Sequence, residues 1–144
     1  MLVCGRQTSG ATAWGLHLGT IGELLVQMRL LEYDVQTVSP LKDTGNDLLA
    51  VRGQVFRAIQ VKTTLGRGAP RELIAFKYRP TISRAFHILA LVFMLEHEST
   101  ALLDQSAIYL LPKEEVTKGR YSKNELERYL LAQEHVIRVA PLIE

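Results

Sequence analysis

Asp47 and the tripeptide Gln60-Val61-Lys62 supply the residue types that hydrolysis of a phosphodiester needs. A carboxylate and an amide oxygen can hold a hard cation, and an ammonium can face the phosphate. A hairpin signal lies between them. Residues 47–51 (DLLAV) and 55–62 (VFRAIQVK) are apolar and β-branched, and in the intervening Arg52-Gly53-Gln54 the glycine can take a positive φ. The spacing therefore predicts an antiparallel hairpin. Strand side chains alternate, so Gln60 and Lys62 share one face while Ile59 and Val61 take the other, and Asp47 opens the partner strand within reach of both. A surface hairpin with merely solvated polar ends fits the same pattern, so the surrounding elements have to decide.

Those elements begin after residues 1–15 (MLVCGRQTSGATAWG), which show no helical or strand period and are expected to form a loose leader to a single domain over 16–144. From Thr20 onward, Ile21, Leu24, Leu25, Met28 and Leu31 recur at helical spacing, predicting an amphipathic helix that ends near Glu32. Residues 33–38 read as a short strand and 39–46 (SPLKDTGN) as the loop before the hairpin. After it, 63–71 (TTLGRGAPR) is a Gly-rich basic loop and 73–78 a further strand before Pro80. The unbroken apolar run 85–95 (AFHILALVFML) fits a fully buried central strand, although periodicity alone also admits a buried helix. Residues 107–111 (AIYLL) form another strand ended by Pro112, and 113–118 a helical turn. Ser122 is placed to cap a helix over 123–133, with Glu125 completing a capping box. The segment 135–139 is a last strand or irregular. No internal repeat or low-complexity tract divides the chain. The expected fold is an α/β domain with a mixed central β-sheet flanked by helices, in two or three layers.

Composition narrows the chemistry. With 144 residues, 47% hydrophobic and 22% charged, the chain is an ordinary globular domain and not a disordered one. A net charge of +2 permits binding to a polyanion without announcing it, so any basic surface must be local. Cys4 is the only cysteine, which excludes an intrachain disulfide and a cysteine-rich zinc site, and leaves metal chemistry to oxygen ligands. His17, His87, His97 and His135 show no ligand spacing, and His87 reads as a satisfied core histidine. The longest apolar run is too short to span a bilayer, and no basic-then-apolar secretory signal opens the chain, so a cytoplasmic protein without membrane partners is expected.

Taken in chain order, Gly19-Thr20-Ile21-Gly22-Glu23, then Asp43-Thr44-Gly45-Asn46-Asp47, then Gln60-Val61-Lys62 reproduce GxxGE, D-x-G-x-D and (E/Q)VK. This resembles the PD-(D/E)XK nuclease superfamily, strongly over residues 19–64 and weakly as far as 131. Within it the pattern is most similar to the compact domains of archaeal Holliday junction resolvases and small homing or restriction-like nucleases. The resemblance implies a restriction-endonuclease-like core, Mg²⁺ or Mn²⁺ as cofactor and DNA as substrate. It makes Asp47 the main metal ligand, with Gln60, the Val61 carbonyl and Glu23 as further ligands. Lys62 would orient or help deprotonate the attacking water and stabilise charge on the phosphate. Gln60 departs from the acidic residue more usual at its position and brings one negative charge fewer. Divalent affinity should fall accordingly, with Glu23 supplying the missing charge.

Several residues carry two readings. Glu23 is a metal-site residue, or it closes a capping box on the Thr20 backbone N–H, or it does both. Gln27, one turn on, is a weaker candidate of the same kind. Asp43 contributes to the site or stabilises the turn before Gly45. Lys42, Arg67, Arg71, Lys77, Arg79 and Arg84 make a locally basic stretch that can track a phosphate backbone, or form an ordinary solvated loop. Cutting two strands needs two sites, so a homodimer is expected. The rivals to an endonuclease are a catalytically inactive relative that binds nucleic acid or protein, and a plain α/β interaction module.

Overall fold

The computed structural model describes residues 14–41, 46–66, 72–74, 85–98 and 100–131. Its first element, α1 (Trp14–Leu31), starts six residues before the expected Thr20, which places Thr20 inside the helix, where it cannot act as N-cap. The capping-box reading of Glu23 is thereby removed. The helix ends in a turn: Tyr33 and Val35 both donate their N–H to the Leu30 carbonyl at 3.0 Å, and Asp34 takes a left-handed φ of 62°. That turn consumes the first half of the strand expected over 33–38, leaving β1 (Gln36–Val38).

The hairpin forms as its period requires, with β2 (Leu48–Arg52) antiparallel to β3 (Val55–Gly66). Arg52 pairs with Val55, so the loop is only Gly53 and Gln54, and Gly53 at φ 61° takes the first loop position, which a side chain would disfavour. β3 does not stop at Lys62 but continues through four residues expected to be loop. The remaining strands are β4 (Glu72–Ile74), β5 (Ile88–His97), β6 (Thr100–Ala101), β7 (Ala107–Pro112) and β8 (Arg120–Ser122), and one short helix, α2 (Lys123–Leu126), follows β8.

The fold is mixed α/β. In the main sheet β1, β2 and β3 are antiparallel neighbours, β5 runs parallel to β3 from Ile59↔Ile88 to Gly66↔Leu95, and β7 runs antiparallel along the other side of β5. β5 is buried from Ile88 to Met94, as its unbroken apolar sequence demands of a central strand covered on both faces. One core packs α1, through Leu25, Val26 and Leu30, onto Leu48, Ile59, Val61, Ala90 and Val92. The second lies on the opposite face, where Leu89, Leu91, Phe93 and Tyr109 meet Tyr121 of β8 and Leu126 of α2. β4 and β8 pair as a separate two-stranded sheet.

Three expectations are corrected by packing. On α1 the buried set is rotated from the expected stripe: Leu24, Met28 and Leu31 are 53%, 52% and 63% exposed, so the helix is apolar on two sides. The capping box at Ser122 forms, with Ser122 N–H on Glu125 Oε2 at 2.8 Å and Glu125 N–H on Ser122 Oγ at 3.2 Å. Even so, the helix expected to reach Gln133 is a single turn. Leu130 bridges to Tyr109 and Leu131 donates to the Ile108 carbonyl at 2.8 Å, so pairing with the open side of β7 replaces helix. His87 is satisfied but not in the core: its ring is exposed and Nδ1 accepts the Ala58 N–H at 2.9 Å, tying the start of β5 to β3. No helix among the described residues is long and apolar enough to cross a membrane.

Candidate functional site

The site is organised by a mismatch in strand length. β2 begins at Leu48, whereas β3 continues past the point where β2 can pair with it. The N–H of Val61 would therefore leave the sheet without a ladder partner, and a buried unpaired donor is costly. Asp47 meets both needs: its N–H donates to the Ile59 carbonyl at 3.0 Å, and its Oδ2 accepts the Val61 N–H at 2.7 Å. The carboxylate is thus fixed on the peptide between Gln60 and Lys62. Backbone groups two residues apart leave a strand on the same side, so the Val61 carbonyl points to the Asp47 side of β3 as well.

Glu23 reaches this place because of Gly22. A Cβ built on Gly22 would collide with Thr63 Oγ1, so only glycine lets α1 approach β3 this closely, and the next residue on the helix is Glu23. Burial pushes the Glu23 carboxyl above its ordinary value of 4.5, and the nearby Asp47 charge pushes it the same way. The Asp47 charge is therefore close enough to oppose ionisation of Glu23.

Gln60 and Lys62 are register partners of Leu89 and Leu91 and so lie on the sheet face away from α1, as the alternation with Ile59 and Val61 predicts. Both are half-buried, and neither has a side-chain hydrogen bond or ion pair among the described residues. The structure thus joins Asp47, Val61 and Glu23 directly. Gln60 and Lys62 flank the anchoring peptide from the other side of the sheet, and the two sides meet only at the open end of β2. Lys42, Asp43, Arg67, Arg71, Lys77, Arg79 and Arg84 lie outside the described residues.

Two oxygens not anticipated from sequence belong to this neighbourhood. Asn46 Oδ1, adjoining Asp47, and Thr63 Oγ1, against Gly22, are buried without a hydrogen-bond partner. A buried polar atom left so is disfavoured by about 1–3 kcal/mol unless water, an ion or a ligand pairs with it. The signal was present in the sequence, since both are polar residues beside motif positions, but nothing local says that they are enclosed. Among the described residues no three His, Cys, Asp or Glu side chains cluster, so a cation here would rely on two carboxylates completed by amide and backbone oxygens.

Neither the known family models nor the curated proteins contain a match to this chain. Among solved structures the fold is similar to that of a bacterial homing endonuclease, I-Ssp6803I. The TM-score is 0.59 at 16% sequence identity, over 90% of this chain and 96% of the other.

Proposed function

We propose that the chain is a metal-dependent endonuclease of PD-(D/E)XK type that hydrolyses DNA phosphodiester bonds, with Asp47, Gln60 and Lys62 at its centre and Glu23 in support. The observation that carries this reading is the Asp47 carboxylate seated on the Val61 N–H at 2.7 Å while its charge opposes ionisation of Glu23. A carboxyl whose pKa is raised by burial and by a neighbouring carboxylate has a physical use if a cation relieves it. The fold likeness to a homing endonuclease agrees with it.

The donor set fits a hard divalent ion. Asp47, Glu23, the Gln60 amide oxygen and the Val61 carbonyl are all oxygen ligands, the kind that Mg²⁺ and Mn²⁺ take. Asn46 Oδ1, buried without a partner, is a further oxygen beside them. When bound, the ion supplies charge neutralisation at the scissile phosphate and an acidified water. Asp47 is held rigidly by its backbone bond, so its free lone pairs are oriented before any ligand arrives. Lys62 faces the phosphate as a compact ammonium without a counter-ion among the described residues, and stabilises negative charge as it develops there. Two chains acting together would cut both strands, which makes a homodimer part of the proposal.

Cleavage of supercoiled, linear and branched DNA in Mg²⁺ or Mn²⁺ tests the reading. Wild type is expected to cut, while Asp47→Ala and Lys62→Met are expected to lose activity by at least about a hundredfold, the size of a lost electrostatic contact to the transition state. The small number of carboxylates favours one rival, a silent relative that binds DNA without cutting it. Wild-type binding without cleavage in either cation would select that rival.

A further inference from the structure

Nothing in the sequence marks Lys123, the first residue of α2, yet its ammonium lies 3.7 Å from the centroid of the Phe93 ring. Phe93, on β5, is the register partner of Thr64, and Lys62, two residues earlier on β3, partners Leu91. Register partners project from the same face of a sheet, so Lys62 and the ring that carries Lys123 lie on one side, the side away from α1. At about 3.3 Å of rise per residue, Lys62 stands about 7 Å along the sheet from the column over which the Lys123 ammonium is held.

Among the described residues neither ammonium is neutralised. Glu125, the nearest acid on α2, is taken by the Lys118 ammonium and by the Ser122 N–H. Among the described residues no carboxylate pairs with Lys123 or Lys62. A cation over an aromatic face is positioned without being discharged. The protein therefore uses an aromatic contact to fix a positive charge that has no acidic partner among the described residues, beside a second such charge on the same face. Successive phosphates of one strand advance about 3.4 Å along a duplex axis, so the separation of the two columns matches roughly two nucleotides.

We infer that Lys123 binds the phosphate backbone of the nucleic acid, holding the strand across the β3–β5 face on the α2 side of Lys62. The inference rests on the reading of DNA as substrate but not on cleavage. Lys123 is a positioning residue: it touches the polyanion away from the reacting phosphate.

The test is the salt dependence of binding to a short fluorescent DNA duplex, measured by anisotropy without divalent cations so that nothing is cut. Lys123→Met keeps a long apolar stem over Phe93 and removes the charge, whereas Lys123→Arg keeps both charge and stacking. Lys123→Met is expected to weaken binding several-fold at low salt and to reduce the slope of log affinity against log salt by about 0.9, one phosphate contact. Lys123→Arg is expected to match wild type, and thermal melting of all three free proteins to agree. An unchanged slope and affinity for Lys123→Met would overturn the inference, as would a wild-type protein that does not bind DNA. A wild type that binds but never cleaves, with Lys123→Met still lowering the slope, would sink the endonuclease reading and leave this one standing.

Discussion

Glu23 is the residue at which charge, fold and proposed chemistry are most tightly coupled. Its carboxyl titrates above 4.5 through burial and then through Asp47. The folded protein therefore binds a proton that the unfolded chain has already released, and its contribution to stability is complete below pH 4.5 and is lost as pH rises through the raised value. Glu23→Gln removes that penalty: urea unfolding is expected to show the variant gaining on wild type as pH rises from below 4.5 toward neutrality. Parallel stability curves would refute the coupling. The same proton must leave before a cation can use both carboxylates, so Mn²⁺ affinity of wild type, measured by calorimetry, is expected to rise across that window and to be weaker in Glu23→Gln at neutral pH. Gln60→Glu is the converse test. A third negative charge among the proposed ligands should tighten Mn²⁺ binding about tenfold or more, of the order expected for one added charge at an effective dielectric intermediate between water and protein. Affinity left unchanged would mean that Gln60 is not a ligand.

At the level of elements, the close approach of α1 to β3 decides whether these residues meet. Gly22→Ala puts a methyl into Thr63, and overpacking of this kind costs about 1–3 kcal/mol, more than the helix propensity that alanine recovers. Chemical unfolding should show the loss, together with a weaker cation site, because Glu23 moves with the helix. A Gly22→Ala protein as stable as wild type would mean that α1 slides freely on the sheet. The hairpin and its glycine were legible in the sequence because period and turn chemistry are local, and for the apolar run of β5 a buried strand was the first of two readings, the buried helix being ruled out by its pairing with β3 and β7. That Gln60 and Lys62 share one face of β3 followed from the same alternation. What could not be read was set by distant partners. β3 extends past Lys62 because β5 continues to pair with it as far as Leu95, and α2 stops early because Leu130 finds the side of β7. β8 forms where it pairs with β4 and sets Tyr121 into the second core. Helical period located α1 but not which side would be buried, since leucines and methionine occur on both sides.

For the whole molecule, that second apolar side of α1 is the strongest indication of assembly. Leu24, Met28 and Leu31 are each more than half exposed, and with Gln27, Gln36 and Thr37 they line an open groove of about 510 Å³ beside β1 that contains no charged side chain among the described residues. A neutral groove offers nothing to a phosphate backbone, and a helix apolar on both sides is usually covered on both. β1 is also the edge strand of the sheet, and its three residues carry no charge to discourage pairing. A second copy related by a two-fold axis would cover this face with the same face. Burying the exposed halves of three side chains from each copy is worth about 1 kcal/mol apiece, about 6 kcal/mol in all. That at most offsets the cost of association, put at about 4–15 kcal/mol, so the free chains should stay apart at micromolar concentration and pair on a shared duplex. Analytical ultracentrifugation is expected to show monomer at micromolar concentration, with dimer dominant once DNA is added. Leu24→Glu combined with Leu31→Glu places four carboxylates across the axis and should abolish the dimer. Mn²⁺ binding should persist in that variant, while double-strand cleavage falls to nicking of single strands. If wild type stays monomeric with DNA and still makes double-strand breaks, one chain cuts both strands in turn, and the apolar side of α1 has another purpose.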